Sequence, residues 1–106
     1  MVSESVIKII KSYISELIEK GLSFEKVYLY GSHAKNSASL NSDIDLMLVS
    51  NLFNNDKDSY LPIIWLSNIR TENRIEPYMM GTNHFYNEFS PLADAVKLEG
   101  IEIPIH

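Results

Sequence analysis

Asp43 and Asp45 stand one residue apart at the head of an apolar run, Leu46, Met47, Leu48 and Val49. Such a run reads as a buried strand, and alternation along a strand sends both carboxylates to one face. Their Cα atoms are then about 7 Å apart, twice the strand rise. Two carboxylates that close repel, and burial raises the cost. Protonation, a basic partner or a cation relieves it. The strand itself carries no Arg or Lys. Hard oxygen ligands in this arrangement suit Mg²⁺, which takes one or two carboxylates and completes its shell with water and phosphate oxygens. Taken alone, such a pair far more often marks a surface strand whose aspartates are solvated, since exposed pairs are common and cheap.

A second feature lies just upstream. Gly31-Ser32 closes a short apolar segment, Val27 to Tyr30. A glycine there lets the backbone approach a ligand closely. The Ser32 hydroxyl adds a donor, and a short helix after it would aim N–H groups at an anion. By itself Gly-Ser after a strand is simply a turn.

The surrounding elements follow from periodicity. Val6, Ile7, Ile10, Tyr13, Ile14, Leu17 and Ile18 fall at helical spacing, with Ser3 as N-cap and Gly21 after the last turn. Val27–Tyr30 and residues 42–50 read as strands, and 33–42 as a small polar loop with room for a short helix. Residues 51–59 read as an Asn-rich loop. Leu61, Ile64, Trp65 and Ile69 fall at helical spacing and predict a helix over 60–72, capped by Asp58 or Ser59, with Pro62 in its first turn. The segment 74–80 alternates as a strand, and Pro77 confines it to a sheet edge or a bulge. Ser90, Pro91 and Gly100 frame a last helix, followed by an extended tail. The order predicts one α/β (α+β) domain over residues 1–106, with a small mixed sheet flanked by helices.

Composition narrows the field. The chain has 106 residues, a net charge of -5 and no cysteine. The acidic balance argues against stable nucleic-acid binding. The lack of cysteine removes disulfides and thiolate metal sites. The N-terminal segment is broken by charges and has no continuous apolar run, so a cytoplasmic protein with no membrane association is expected. His84 and His106 have no zinc-ligand spacing. Trp65, Met79, Met80, Phe85 and Phe89 belong to a core or a partner surface.

Gly31-Ser32, ten residues, then Asp43-x-Asp45 in an apolar strand resembles the signature of the DNA polymerase β-like nucleotidyltransferase superfamily. "GSHAKNSASLNSDIDLMLV" is most similar to the minimal nucleotidyltransferases, whose pattern is roughly G-S-R-A-R-G, a spacer and S-D-I-D-L. The likeness extends over the whole chain. It departs at His33 and Lys35, which stand where the pattern has arginines, and at Asn36, which replaces its glycine. The resemblance implies the polymerase β-like fold and a third carboxylate on the next strand, here Glu76 in "RIEPYMM"; a surface pair between Glu76 and Arg74 is the plainer reading of that residue.

The resemblance further implies that Asp43, Asp45 and Glu76 are catalytic and hold Mg²⁺. Gly31, Ser32, Lys35 and Ser42 would bind ATP or another nucleoside triphosphate. A nucleoside monophosphate would pass to a hydroxyl, with Glu76 and Asp45 acting on its proton. A domain of this size has no room to hold an acceptor, so the acceptor is expected on another copy or another protein. Minimal nucleotidyltransferases pair with helical HEPN-domain toxins, which implies an antitoxin that places AMP on a toxin tyrosine. Phe85, Tyr86, Phe89 and Leu92 are the expected partner surface, and a homo-oligomer is possible on the same grounds. Modification of an aminoglycoside-type small molecule, or silent binding of the partner, are the alternatives.

Overall fold

A computed structural model describes residues 2–35, 38 and 42–105. The chain runs α1 (Glu4–Glu19), β1 (Lys26–Tyr30), β2 (Ile44–Ser50), α2 (Leu61–Arg70), β3 (Ile75–Gly81), α3 (Thr82–Asn87), α4 (Pro91–Glu99) and β4 (Ile101–Glu102). Two short 3-10 turns, Asn51–Phe53 and Lys57–Tyr60, fill the segment between β2 and α2. The four strands form one sheet in the order β3-β2-β1-β4. β2 and β3 are parallel, whereas β1 is antiparallel to both β2 and β4. The sheet is therefore mixed, as the sequence predicts, and Pro77 lies on an edge strand.

Side-chain alternation sorts the sheet into two faces. Val27, Leu29, Leu46, Leu48, Ile75 and Met79 meet Ile10, Tyr13, Ile14 and Leu17 of α1 and Ile64 of α2 in the main core. The Tyr13 hydroxyl donates to the Ile64 carbonyl at 2.9 Å, which ties α1 to α2 and gives a buried phenol its partner. On the other face, Met47, Val49 and Met80 pack with Phe85 of α3 and Ala93 and Val96 of α4. β2 is thus covered on both sides over most of its length. Only its start, near Asp43 and Asp45, rises beyond the second layer.

Caps behave as the sequence predicts at two helices. Ser3 accepts from the Val6 N–H at 3.3 Å, and Ser90 accepts from the Ala93 N–H at 3.1 Å. Pro91 occupies the first turn of α4. At α2 the expectation fails: Tyr60 is the N-cap and makes no side-chain cap bond. Asp58 and Ser59 are absorbed into the preceding 3-10 turn, which hands its last residue directly to the helix.

One expectation about apolar surface is corrected. α3 was not legible from periodicity, and its six residues bury Phe85 to 1% exposure. Phe85 therefore belongs to the core and not to a partner surface. On α2 only Ile64 among the apolar residues is fully buried, whereas Leu61, Trp65, Leu66 and Ile69 are exposed, Ile69 to 63%. Phe89 and Tyr86 are exposed, as expected of a partner surface. No helix among the described residues is long and apolar enough to cross a membrane.

Candidate active site

Three strands bring the site together. Asp43 immediately precedes β2, and Asp45 is its second residue. Asp45 is the Cα partner of Glu76 on β3 and of Tyr30 on β1. A single row, Glu76–Asp45–Tyr30, therefore crosses the sheet on the face opposite the main core. Asp43 lies close enough for its charge to raise the Asp45 carboxyl.

The sequence placed Glu76 on the right strand, and the register places it beside Asp45. Its plainer reading, a pair with Arg74, is not observed. Arg74 instead donates from Nη2 to the Ser42 carbonyl at 3.2 Å, and Glu76 joins no ion pair among the described residues.

The strand that carries Glu76 is set by Asn68. Its Oδ1 accepts from the Ile75 N–H at 2.8 Å, while its backbone carbonyl accepts from the Asn73 N–H at 2.8 Å. These bonds hold the turn between α2 and β3, in which Glu72 and Asn73 have positive φ. The Ile44 N–H then donates to the Arg74 carbonyl at 2.8 Å, and this locks the starts of the parallel pair in register. The role of Asn68 carries no sequence signal, because a buried asparagine on a helix is visible only once its neighbours are placed.

Gly31 ends β1 at φ +73, in the left-handed region. A Cβ there would collide with Asp45 Oδ2. The glycine thus does two things: it turns the chain, and it leaves room for the carboxylate. Residues 31–35 form a turn closed by the Lys35 N–H to the Gly31 carbonyl at 3.1 Å. No helix follows Gly31 among these residues. His33, one of the departures from the family pattern, donates from Nε2 to the Ser42 carbonyl at 3.1 Å. His33 and Arg74 thus grip one carbonyl from two sides and fix the approach to Asp43. Asn36 lies outside the described residues.

Gly31→Ala should show both effects of that glycine. A left-handed alanine costs about 1–2 kcal/mol, which for a domain of this size lowers Tm by about 5–10 °C. A thermal melt reads the first effect. Weakened binding of magnesium-nucleotide, read by calorimetry, would report the displaced Asp45.

Among the described residues no Lys or Arg pairs with Asp43, Asp45 or Glu76. Burial, then Asp43, pushes the Asp45 carboxyl above the usual aspartate range, and His33 opposes them. The Tyr30 phenol is likewise raised, by burial first and then by Asp45, Tyr78 and Glu76. Lys35, expected at the triphosphate, is exposed and lies 3.6 Å from Glu99 of α4. A recess of about 140 Å³ opens between this turn and α4, lined by Tyr30, Ala34, Lys35, Val96 and Glu99 among others.

The donor set fits a hard cation shared with a substrate. Among the described residues no three His, Asp or Glu side chains already converge as a metal cage. Carboxylates that face one side without closing on it, and that pair with no Lys or Arg among the described residues, match Mg²⁺ completed by phosphate oxygens and water.

A family model described as "Polymerase beta, Nucleotidyltransferase" matches residues 12–76. That is more than half of the chain, from within α1 to Glu76. The chain belongs to the polymerase β nucleotidyltransferase family. No curated protein gives a significant match. Among solved structures, a 1.40 Å crystal structure from Sulfolobus solfataricus, of a protein provisionally described as a nucleotidyltransferase, has a TM-score of 0.59 at 16% identity. The match covers 92% of this nucleotidyltransferase and 78% of that chain, and at this identity it speaks to the fold. The mixed sheet with its helical layers is thus the polymerase β-like fold, and nucleotidyl transfer is the activity of the family.

Proposed function

We propose that this nucleotidyltransferase moves a nucleoside monophosphate, AMP from ATP, onto a tyrosine hydroxyl of a helical HEPN-domain partner, and so acts as its antitoxin. The observation that carries the transfer chemistry is the register Asp45↔Glu76. It sets a carboxylate of β3 beside the Asp43-x-Asp45 pair, next to the turn at Gly31.

The Gly31 backbone, with Ser32 and Ser42, receives the β and γ phosphates. Lys35 swings from Glu99 to join them, and an exposed ion pair of this kind is cheaply broken. Asp43, Asp45 and Glu76 would hold Mg²⁺, which supplies charge neutralisation for the triphosphate when bound. Glu76, with Asp45, orients the acceptor hydroxyl and takes its proton. The hydroxyl oxygen attacks the α-phosphorus in line, and pyrophosphate leaves towards the Gly31 turn. Positioning and electrostatics account for the rate, since phosphoryl chemistry asks little covalent work of the protein.

The partner reading draws on α2. Leu61, Trp65, Leu66 and Ile69 share one helix and are all exposed. A contiguous apolar stripe of this kind is a macromolecular contact surface more often than a stray exposure, and a helical partner packs onto a helix by the ordinary ridge geometry.

Mass spectrometry of the purified pair with Mg²⁺ and ATP tests the proposal. The expected result is an AMP-sized addition on a partner tyrosine that requires Asp43 and Asp45. A tight complex with no addition, still inhibitory when Asp43 is changed to asparagine, would establish a silent binding antitoxin instead. Absence of any complex, with transfer to an aminoglycoside-type hydroxyl, would establish the small-molecule enzyme.

A further inference from the structure

Tyr78 is an exposed phenol on the carboxylate face that the mechanism leaves unused. It follows Glu76 by two residues on β3, so alternation sends its phenol to the same face. Its Cα partner across the ladder is Met47, two residues after Asp45. The two Cα steps, Glu76 to Tyr78 and Asp45 to Met47, are each about 7 Å, a distance that a phenol can span. Asp45 is the Cα partner of both Tyr30 and Glu76, which places these groups and Tyr78 in one neighbourhood on this face. Tyr78 is 42% exposed. Among the described residues none hydrogen-bonds its hydroxyl. Its side chain lines a groove of about 520 Å³, together with Asp56, Asp58, Met80, His84 and Glu88 among others.

From this placement we infer that Tyr78 is an internal acceptor: the nucleotidyltransferase transfers a nucleoside monophosphate to its own Tyr78 hydroxyl, within one chain. The inference rests on the nucleotidyl-transfer reading of the carboxylate row and adds a self-modification to it. The phenol oxygen forms a bond to the α-phosphorus of a bound nucleoside triphosphate. The bond from that phosphorus to the bridging oxygen breaks, and pyrophosphate leaves. The phenol proton passes to Glu76 and then to water.

The product is a phosphodiester whose single negative charge sits beside Asp45 and Glu76. It occupies the space in which the next triphosphate must bind. The reaction is therefore expected to stop at one addition per chain.

The test uses the whole chain with Mg²⁺ and ATP, CTP, GTP or UTP in parallel, read by intact mass and peptide mapping. At least one nucleotide should give an addition of its monophosphate mass, approaching one per chain, on the peptide that contains Tyr78. The addition should vanish in Tyr78→Phe and in the Asp43→Asn, Asp45→Asn double variant. A mixture of Tyr78→Phe with that double variant should leave both unlabelled; a label on the double variant would mean transfer between chains and would overturn the inference. Calorimetry separates the remaining outcomes. Nucleotide binding with no label on Tyr78, or with the label elsewhere, overturns this inference alone. Absence of both binding and label overturns the reading of the site beneath it.

Discussion

Replacing Asp43 and Asp45 together by asparagine is expected to lower nucleotide transfer by about a thousandfold or more. Charge stabilisation by a bound cation contributes several kcal/mol to phosphoryl chemistry, and each 1.36 kcal/mol is a factor of ten in rate. The same variant should lose magnesium-dependent nucleotide binding in calorimetry, and binding as tight as the parent's would show that the site lies elsewhere.

Stability should move the other way. Asp45 holds its proton to a higher pH than the ordinary value of 3.8, through burial and Asp43. A carboxyl that binds its proton more tightly in the folded chain than in the unfolded one makes the fold less stable as pH rises through that interval. At neutral pH the ionised Asp45 is therefore a cost, and asparagine removes it. In metal-free buffer at pH 7 the double variant should melt no lower than the parent. Its advantage should shrink as the pH falls towards 3.8, where the parent's own carboxyl is protonated. A large loss of Tm at neutral pH would make the aspartates structural.

Glu76→Gln should separate chemistry from binding. A positioned general base contributes about 10²–10⁴ in rate. Glutamine keeps the size and a carbonyl oxygen but cannot take a proton. Transfer should fall by that factor in kcat, while affinity for magnesium-nucleotide stays within about fivefold, because Asp43 and Asp45 still face the phosphates. Equal losses in both would move Glu76 to a binding or folding role. Glu76 is an exposed residue on an edge strand, so the substitution leaves the core untouched and the readout is not clouded by unfolding.

Local pattern carried the site further than it carried the surface. Alternation puts Asp43 and Asp45 on one face from sequence alone, and Gly31 announces the turn. The partnership of Asp45 with Glu76 is different in kind. It depends on a parallel pairing across α2, fixed by Asn68 and by the Ile44–Arg74 backbone bond, and no local pattern encodes a register of that sort. His33 reads as a lost arginine until its bond to the Ser42 carbonyl is seen.

The helices teach the converse lesson. Leu61, Trp65 and Ile69 have the spacing of a buried stripe, yet periodicity identifies a face without saying what covers it. Phe85 went the other way because α3 is too short to show a period, and only the packing against Tyr28 and Met80 reveals it as core.

Pro77 has a consequence for how this molecule meets others. The two edges of the sheet are β3 and β4. One carries a proline that has no N–H to offer a neighbouring strand, and the other is two residues long. An incoming chain finds no continuous row of donors and acceptors on either side. Strand-by-strand polymerisation is thereby blocked at both borders, and stable contacts with a second molecule are left to side-chain surfaces, with the helices as the route to specific assembly.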